Sequence, residues 1–407
     1  MLSRMLQFPL LATGIKTHSV NKDIWRFCVK QVSFIHTADI HLDTPFSSLG
    51  DKEKADIRRQ ELENCLENII DRVRIQNINL LIISGDFFEE SCVRGSTIIG
   101  VRNLFSELYG AEIVIIPGNH DPLKENSYYN TISWSDNVHI LTDSKQVLFL
   151  EKFNTCIYNM GAVGRVTEDY ARLQGNNISS DRFNILVFHG TVDMPFEESN
   201  YNAIGSKDIF NLGMDYVALG HMHNYIRFQN RASIMINPGS PEPMGFDEEG
   251  VHGFVQGNIR FTEDNSKLVE ATFVPSSSRN YYNIELDVTG CKSNQEIIQK
   301  LSMDDNIDFS GKDLYSLTLK GFIPMNFTPD IKYLTEVIKD KCFYLRIKIE
   351  TSILFDYEQY LEDPGIKGEF VRMLMDMQEN EASQERKEIL YMAIQLGLQA
   401  MENNRVD

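Results

Sequence analysis

Five short polar clusters carry side chains able to do chemistry: Asp39-Ile40-His41, Gly85-Asp86, Gly118-Asn119-His120-Asp121, His189-Gly190 and Gly220-His221-Met222-His223. Each follows an apolar run of the kind that forms a buried strand, ending near residues 38, 83, 117, 188 and 219. Strand ends are where α/β proteins bind ligands. The clusters hold five of the nine histidines, with carboxylates and one amide but no thiol. That donor set suits manganese, iron or zinc and argues against a structural thiolate zinc site.

Charge arithmetic defines the chemistry further. Two carboxylates, four neutral imidazoles and one amide cannot cancel two divalent ions. The site therefore stays positive and draws in phosphate. Ions sharing a carboxylate lie roughly 3.5–4 Å apart, and water bridging them becomes a hydroxide nucleophile near neutral pH. His120 offers a further imidazole, and the adjacent Asp121 a carboxylate able to fix its tautomer.

Taken singly, each cluster has an ordinary explanation. Asp39 could cap a turn, Asp86 open a helix, and His189 sit satisfied in a core. Five such clusters at one sheet edge are not explained that way. Extended residues i and i+2 point to the same side. Asp39 with His41, and His221 with His223, are therefore each expected to deliver two ligands to one point.

The elements that must position these groups follow from periodicity. Ile57, Leu62, Leu66, Ile69, Ile70 and Val73 predict a helix over 54–76, and a second is expected over about 95–108. The β-α-β-α-β order implies right-handed crossovers and a parallel sheet, with its polar strand ends on one edge. Short strand-like pieces between residues 138 and 164, and alternating strands up to about 274, complete a sheet-on-sheet core with helices outside. Residues 275–280 read as a linker. Beyond it, strands at 282–288, 314–319 and 343–349 alternate with helices at 294–301 and 331–339, a small α+β domain. Asp363-Pro364-Gly365 marks a break before amphipathic helices at 368–378 and 383–401. The expected organisation is an N-terminal extension (1–31, flexible or the product of a misassigned start), a catalytic domain (32–278), a cap domain (279–363) and C-terminal helices (364–407).

Composition sets the class. Hydrophobic content of 42% and charged content of 24% are those of a soluble globular protein. No apolar run approaches the roughly 20 residues that span a bilayer, and the N-terminal stretch lacks the pattern of a signal peptide. Cys28, Cys65, Cys92, Cys156, Cys291 and Cys342 are scattered, as free thiols of a reducing cytoplasm would be. The net charge of -19 opposes binding nucleic acid through a broad basic surface. Any polyanionic substrate must meet local positive charge from metal ions, a few arginines or a partner.

In this order, the five clusters resemble the five motifs of calcineurin-like metallophosphoesterases, and the resemblance covers about residues 33–275. The opening Phe34-Ile35-His36-Thr37-Ala38-Asp39-Ile40-His41-Leu42-Asp43 is similar more narrowly to SbcD-type DNA repair exonucleases, especially the YhaO branch. The resemblance implies a metallophosphoesterase β-sandwich flanked by helices, a small cap domain and C-terminal helices. It implies one ion, manganese before iron or zinc, held by Asp39, His41, Asp86 and His223. A second would be held by bridging Asp86 with Asn119, His189 and His221. His120, oriented by Asp121, would assist the leaving oxygen. Glu89 stands where many members have aspartate.

The implied activity is DNA exonuclease action, with DNA, an SbcC-like coiled-coil ATPase and a second copy of the chain as partners and no membrane. A phosphatase or cyclic-nucleotide phosphodiesterase would use the same centre on a small substrate, and a non-catalytic adaptor would keep the fold only to present its last helices. Arg58, Arg59 and Arg165 are candidate phosphate contacts. Phe46, Phe87 and Phe88 are candidates for stacking on a base, against a core role.

Overall fold

The computed structural model describes residues 29–142, 144–160, 166–174, 178–193, 201–304 and 307–403. The expected extension lies outside these residues except for 29–31, as does Arg165. Contacts divide the chain into two compact units. The first takes the described residues up to Phe46, then Asp56–Glu242 and His252–Ser277. The second takes Ser47–Ala55, Pro243–Val251 and the described residues from Ser278 onward.

The first unit is built on two six-stranded sheets. In one, β1 (Gln31–Thr37), β2 (Leu80–Ser84), β3 (Glu112–Ile116) and β4 (Val138–Ile140) run parallel. β11 (Gly253–Phe261) and β12 (Lys267–Pro275) extend it antiparallel beyond β1. The other sheet has parallel β6 (Thr155–Met160), β7 (Phe183–His189), β8 (Tyr216–Gly220) and β10 (Ile234–Asn237). Antiparallel β5 (Val147–Leu150) and β9 (Ile226–Gln229) close its two edges.

Phe34, Ile82, Val114, Ile157, Ile185, Val187, Ala218 and Ile236 form one buried cluster between the sheets. Every residue of β2, β7 and β8 is buried, the mark of central parallel strands covered on both faces. β12, at an edge, alternates half-buried and exposed residues along most of its length. Helices α1 (Lys52–Ile75) and α2 (Gly95–Ser106) connect β1 to β2 and β2 to β3, and α3 (Tyr128–Thr131) is a single turn before β4. Behind the second sheet, α4 (Val166–Gln174) and α5 (Ser206–Asn211) bury Leu173 and Ile209 against Leu186, Phe188 and Val217. The expectation of a single sheet edge is corrected here. His189 and the His221–His223 pair leave strands of the second sheet, and the site gathers at the ends of two facing sheets.

A polar link joins the sheets beneath those ends. His36 of β1 is fully buried, and burial lowers its pKa to about 3, so the ring is neutral. Its Nε2 lies 3.0 Å from Leu219 O, which can only accept, so Nε2 carries the proton. Nδ1 then accepts from the Tyr216 hydroxyl at 2.8 Å.

The second unit contains a three-stranded parallel sheet of β13 (Tyr281–Asp287), β14 (Leu314–Pro324) and β15 (Tyr344–Leu354). Crossover helices α6 (Asn294–Met303) and α7 (Ile331–Ile338) are capped by Ser293 and Asp330. Their Ile297, Leu301, Leu334 and Ile338 pack on Leu286, Leu317 and Leu319 of the sheet. α8 (Ile366–Glu379) and α9 (Gln384–Asn403) follow, closing over Phe355, Val371, Ile394 and Leu398. No helix among the described residues is long and apolar enough to cross a membrane. Cys65, Cys92, Cys156, Cys291 and Cys342 are free.

Arg58 is not a phosphate contact. It is completely buried, pairing with Glu61 and, at 3.0 Å, with the equally buried Glu242. Its guanidinium also lies 5.3 Å from the Phe46 ring centroid. Phe46, Phe87 and Phe88 are all buried, in core roles. Arg59 donates to Pro45 O and pairs with Asp56. Removing one member of a buried pair strands the other charge, so Arg58→Ala should destabilise the protein by about 3–5 kcal/mol. Arg59→Ala should change stability by less than about 1 kcal/mol. Urea denaturation midpoints of the two variants check this contrast.

Candidate metal centre

The strand ends are locked before any side chain is considered. The loops after β1 and β2 continue to pair, with Asp39 N donating to Gly85 O at 3.1 Å, His41 N to Asp86 O at 3.0 Å and Leu42 N to Phe87 O at 3.0 Å. Within them the backbone turns left-handed at Asp39 (φ 51°), His41 (φ 48°), Asp86 (φ 47°) and, in the second sheet, His221 (φ 100°). Non-glycine residues rarely adopt this conformation, and they collect at functional sites. Asp39 and His41 therefore converge through a left-handed turn, which corrects the extended i, i+2 geometry expected for the pair. Gly85 (φ 94°) lies against His189, and an added Cβ there would overlap the imidazole.

The seven expected ligand residues come together. Asp39, His41 and His223 present donor atoms within 4.8 Å of one another, as do Asp86, His189 and His221. Asp86 Oδ2 lies 3.3 Å from His189 Nε2 and 3.7 Å from His41 Nε2, which places it between the groups. Asn119 Oδ1 faces His189 Nε2 and His221 Nδ1, each at 3.1 Å. Asp39 also accepts the His221 backbone N–H on both oxygens at 3.0 Å, tying the two sheets together.

Electrostatics favours a cation. Asp39 is fully buried, and desolvation raises its pKa to about 6. Burial also works against ionised Asp86, but His189 and His41 outweigh it and hold the carboxyl below its ordinary range. Burial opposes a charge on His189 as well, yet Asp86 and Asp39 lift its pKa to about 9. His221 is lowered to about 4 by burial and by His189. The His41 Nε2 atom is buried without a hydrogen-bond partner. An orphaned imidazole nitrogen beside two buried carboxylates, in a shell of nitrogen and oxygen donors, fits divalent ions. His189 Nδ1 donates to Ser84 O at 2.8 Å, fixing the tautomer that leaves Nε2 toward the site.

His120 and Asp121 part company. The His120 backbone N–H donates to Asp86 Oδ1 at 2.8 Å, and its half-exposed ring lies at the rim. Nδ1 pairs with Glu89 Oε2 at 2.9 Å. Glu89 also faces His41, and these contacts lower its pKa to about 2. Asp121 is buried and accepts from Gly118 N (2.7 Å), Phe87 N (2.8 Å), Phe88 N (3.1 Å) and the Tyr129 hydroxyl. Its expected role in orienting His120 is thus corrected. Asp121 fastens the loops after β2 and β3, and Glu89 holds the imidazole.

Two further groups lacked any sequence signal of their own. The Tyr201 ring stacks on His221, centroids 5.0 Å apart, and Asn202 Nδ2 donates to His189 O at 3.0 Å.

Residues 32–225 match the model of the calcineurin-like phosphoesterase family. Among individual proteins, it is 27% identical over 232 residues to the metallophosphoesterase YhaO of Bacillus subtilis, covering 55% of this chain and 56% of that protein. It is 25% identical over 302 residues to the DNA double-strand break repair protein Mre11 of Methanopyrus kandleri, covering 68% of this chain and 64% of the relative. The chain thus spans less than two thirds of either relative. GAP50, the anchor in the inner membrane complex of Plasmodium, aligns at 13% identity and a TM-score of 0.38 over 61% of this chain and 85% of its own.

Because His189 carries a proton up to about pH 9 in the metal-free site, an ion entering its group must displace it. Affinity should rise with pH up to that value, by as much as about tenfold per unit. It should fall more steeply below about pH 6, where Asp39 is protonated too. Calorimetric titration with manganese in buffers of different ionisation enthalpy should register net proton release at pH 7.

Proposed function

We propose that the chain is a two-metal phosphodiesterase acting as a DNA exonuclease in repair. The observation that carries this reading is the meeting of seven nitrogen and oxygen donors from five strand ends, with the His120 ring at their open rim. Asp39, His41, Asp86 and His223 would hold one ion, and Asp86, Asn119, His189 and His221 the other. When bound, the ions supply an acidified water and positive charge for the phosphate. Manganese suits the donor set, as iron and zinc do.

The protein's own groups do the rest. Ionised Glu89 accepts from His120 Nδ1–H, which leaves Nε2 as the atom that meets the leaving oxygen. Similarity to Mre11 supports DNA as the substrate. A chain of net charge -19 then holds DNA through its ions and a partner rather than a basic surface. Exposed Met373 and Met377 on α8, and Ile389, Met392 and Leu396 on α9, offer apolar rows at helical spacing. They suit a helical partner such as an SbcC-like coiled-coil ATPase. A cytoplasmic homodimer completes this reading.

Purified protein with manganese, with and without such an ATPase, should degrade labelled duplex or single-stranded DNA faster than small phosphoesters. Turnover of the small esters alone would discard the exonuclease reading in favour of a phosphatase or cyclic-nucleotide phosphodiesterase. His120→Ala should lower turnover at least about 100-fold with metal content unchanged. Glu89→Ala should lower it about 10- to 100-fold with KM little altered. Equal losses in KM and kcat for Glu89→Ala would contradict its positioning role.

A further inference from the structure

We infer that the Asn237-Pro238-Gly239-Ser240 turn, which begins with the last residue of β10, is the positioning device for His223, and that it sets occupancy of the ion site formed with Asp39 and His41. This rests on reading the centre as a metal site. His223 lies on the loop between β8 and β9, just past the left-handed turn at His221. Strand pairing does not hold its backbone there. The carbonyls of Met222, His223 and Asn224 are instead captured by one neighbouring loop. The Asn237 side-chain amide donates to Met222 O and, at 3.0 Å, to Asn224 O. Ser240 N donates to His223 O at 3.1 Å. Both amide hydrogens of Asn237 are thus spent on the residues flanking the ligand.

The side chain accepts a penalty for this orientation. Asn237 is buried, and its Oδ1 has no hydrogen-bond partner, a costly arrangement for an acceptor removed from water. Aspartate would set a second acceptor against the two carbonyls, and alanine would leave both unpaired. Gly239 adds a steric requirement. Its φ is 77°, and an added Cβ would lie 2.5 Å from His223 O. The far end of the clamp is anchored in the first unit. Buried Ser240 contacts His252 Nδ1 through Oγ at 2.9 Å, and Glu242 is paired with Arg58. The clamp therefore presses a fixed surface against the His223 backbone.

The test compares metal loading of the full chain with stability of its metal-free form. The wild type should take up two manganese ions per chain and give the multiline paramagnetic resonance spectrum of an exchange-coupled pair. Asn237→Asp and Asn237→Ala, at the manganese concentration that just saturates the wild type, should hold one ion and give a six-line mononuclear spectrum. The weaker site should lose affinity at least about tenfold. Gly239→Ala should do the same, and it serves where an Asn237 variant does not fold. Ile157→Ala, in the core between the sheets, should lower the thermal midpoint but keep two ions and the coupled spectrum. Two coupled ions in folded Asn237 or Gly239 variants would overturn the clamp. So would loss of an ion in Ile157→Ala at an equal drop in midpoint. Fewer than two ions in the wild type would instead defeat the metal-centre reading itself.

Discussion

Burial of two carboxylates among imidazoles is the constraint on which the first unit depends. Asp39 and Asp86 are almost wholly removed from solvent, and neither has a lysine or arginine partner among the described residues. An ion taken out of water without a partner costs several kcal/mol. Without metal, protons meet the shortfall in part, since Asp39 titrates near 6 and His189 near 9. A proton neutralises one group at a time. A divalent cation satisfies several donors together, and it alone would use the orphaned His41 nitrogen. The loops are shaped to keep that demand in place.

Keeping it in place requires a rigid backbone in an unfavourable conformation. Left-handed φ values at Asp39, His41, Asp86 and His221 are disfavoured and persist only where the surroundings over-determine them. The backbone bonds between the loops after β1 and β2 do this on one sheet, and the Asp121 carboxylate extends the fastening to the loop after β3. The Asp39 bonds to His221 N carry it across to the other sheet, and His36 with Tyr216 repeats the link one layer down. Strain at each ligand is thus balanced by contacts to a different strand end. No single loop could hold its own ligands.

What the sequence made legible follows from this arrangement. Polar residues set directly after continuous apolar runs mark buried parallel strands and their functional ends, so the five clusters stand out before any distance is known, and the resemblance separates seven candidate ligands from His120. Less legible was anything that depends on which strands face each other. A sheet-on-sheet core is legible in the alternating apolar runs, but not which strands belong to which sheet, so the assignment of His189 and the His221–His223 pair to the second sheet had to come from the pairing itself. Adjacency in sequence pairs Asp121 with His120. In a turn, neighbouring side chains diverge, and the true partner, Glu89, lies 31 residues away on a loop whose Glu90 N donates to His120 O at 3.2 Å. Arg58 read as a surface cation, because nothing in its helix announces a buried Glu242 that lies 184 residues further on.

The same geometry bears on how an acidic chain could act on a polyanion. The ligand side chains lie inside, with Asp39, His41, Asp86 and His189 almost inaccessible, whereas the His120 ring is 45% exposed. The buried donors and the His120 ring are therefore separated by depth. On the two-metal reading, bound ions would set positive charge at the rim of a chain whose net charge is -19, confining attraction of phosphate to the centre itself. Without ions, the buried carboxylates beneath that rim would add to the negative field of the chain and oppose a phosphate. On that reading, metal loading and substrate capture are one electrostatic event, set by how deeply Asp39 and Asp86 are buried.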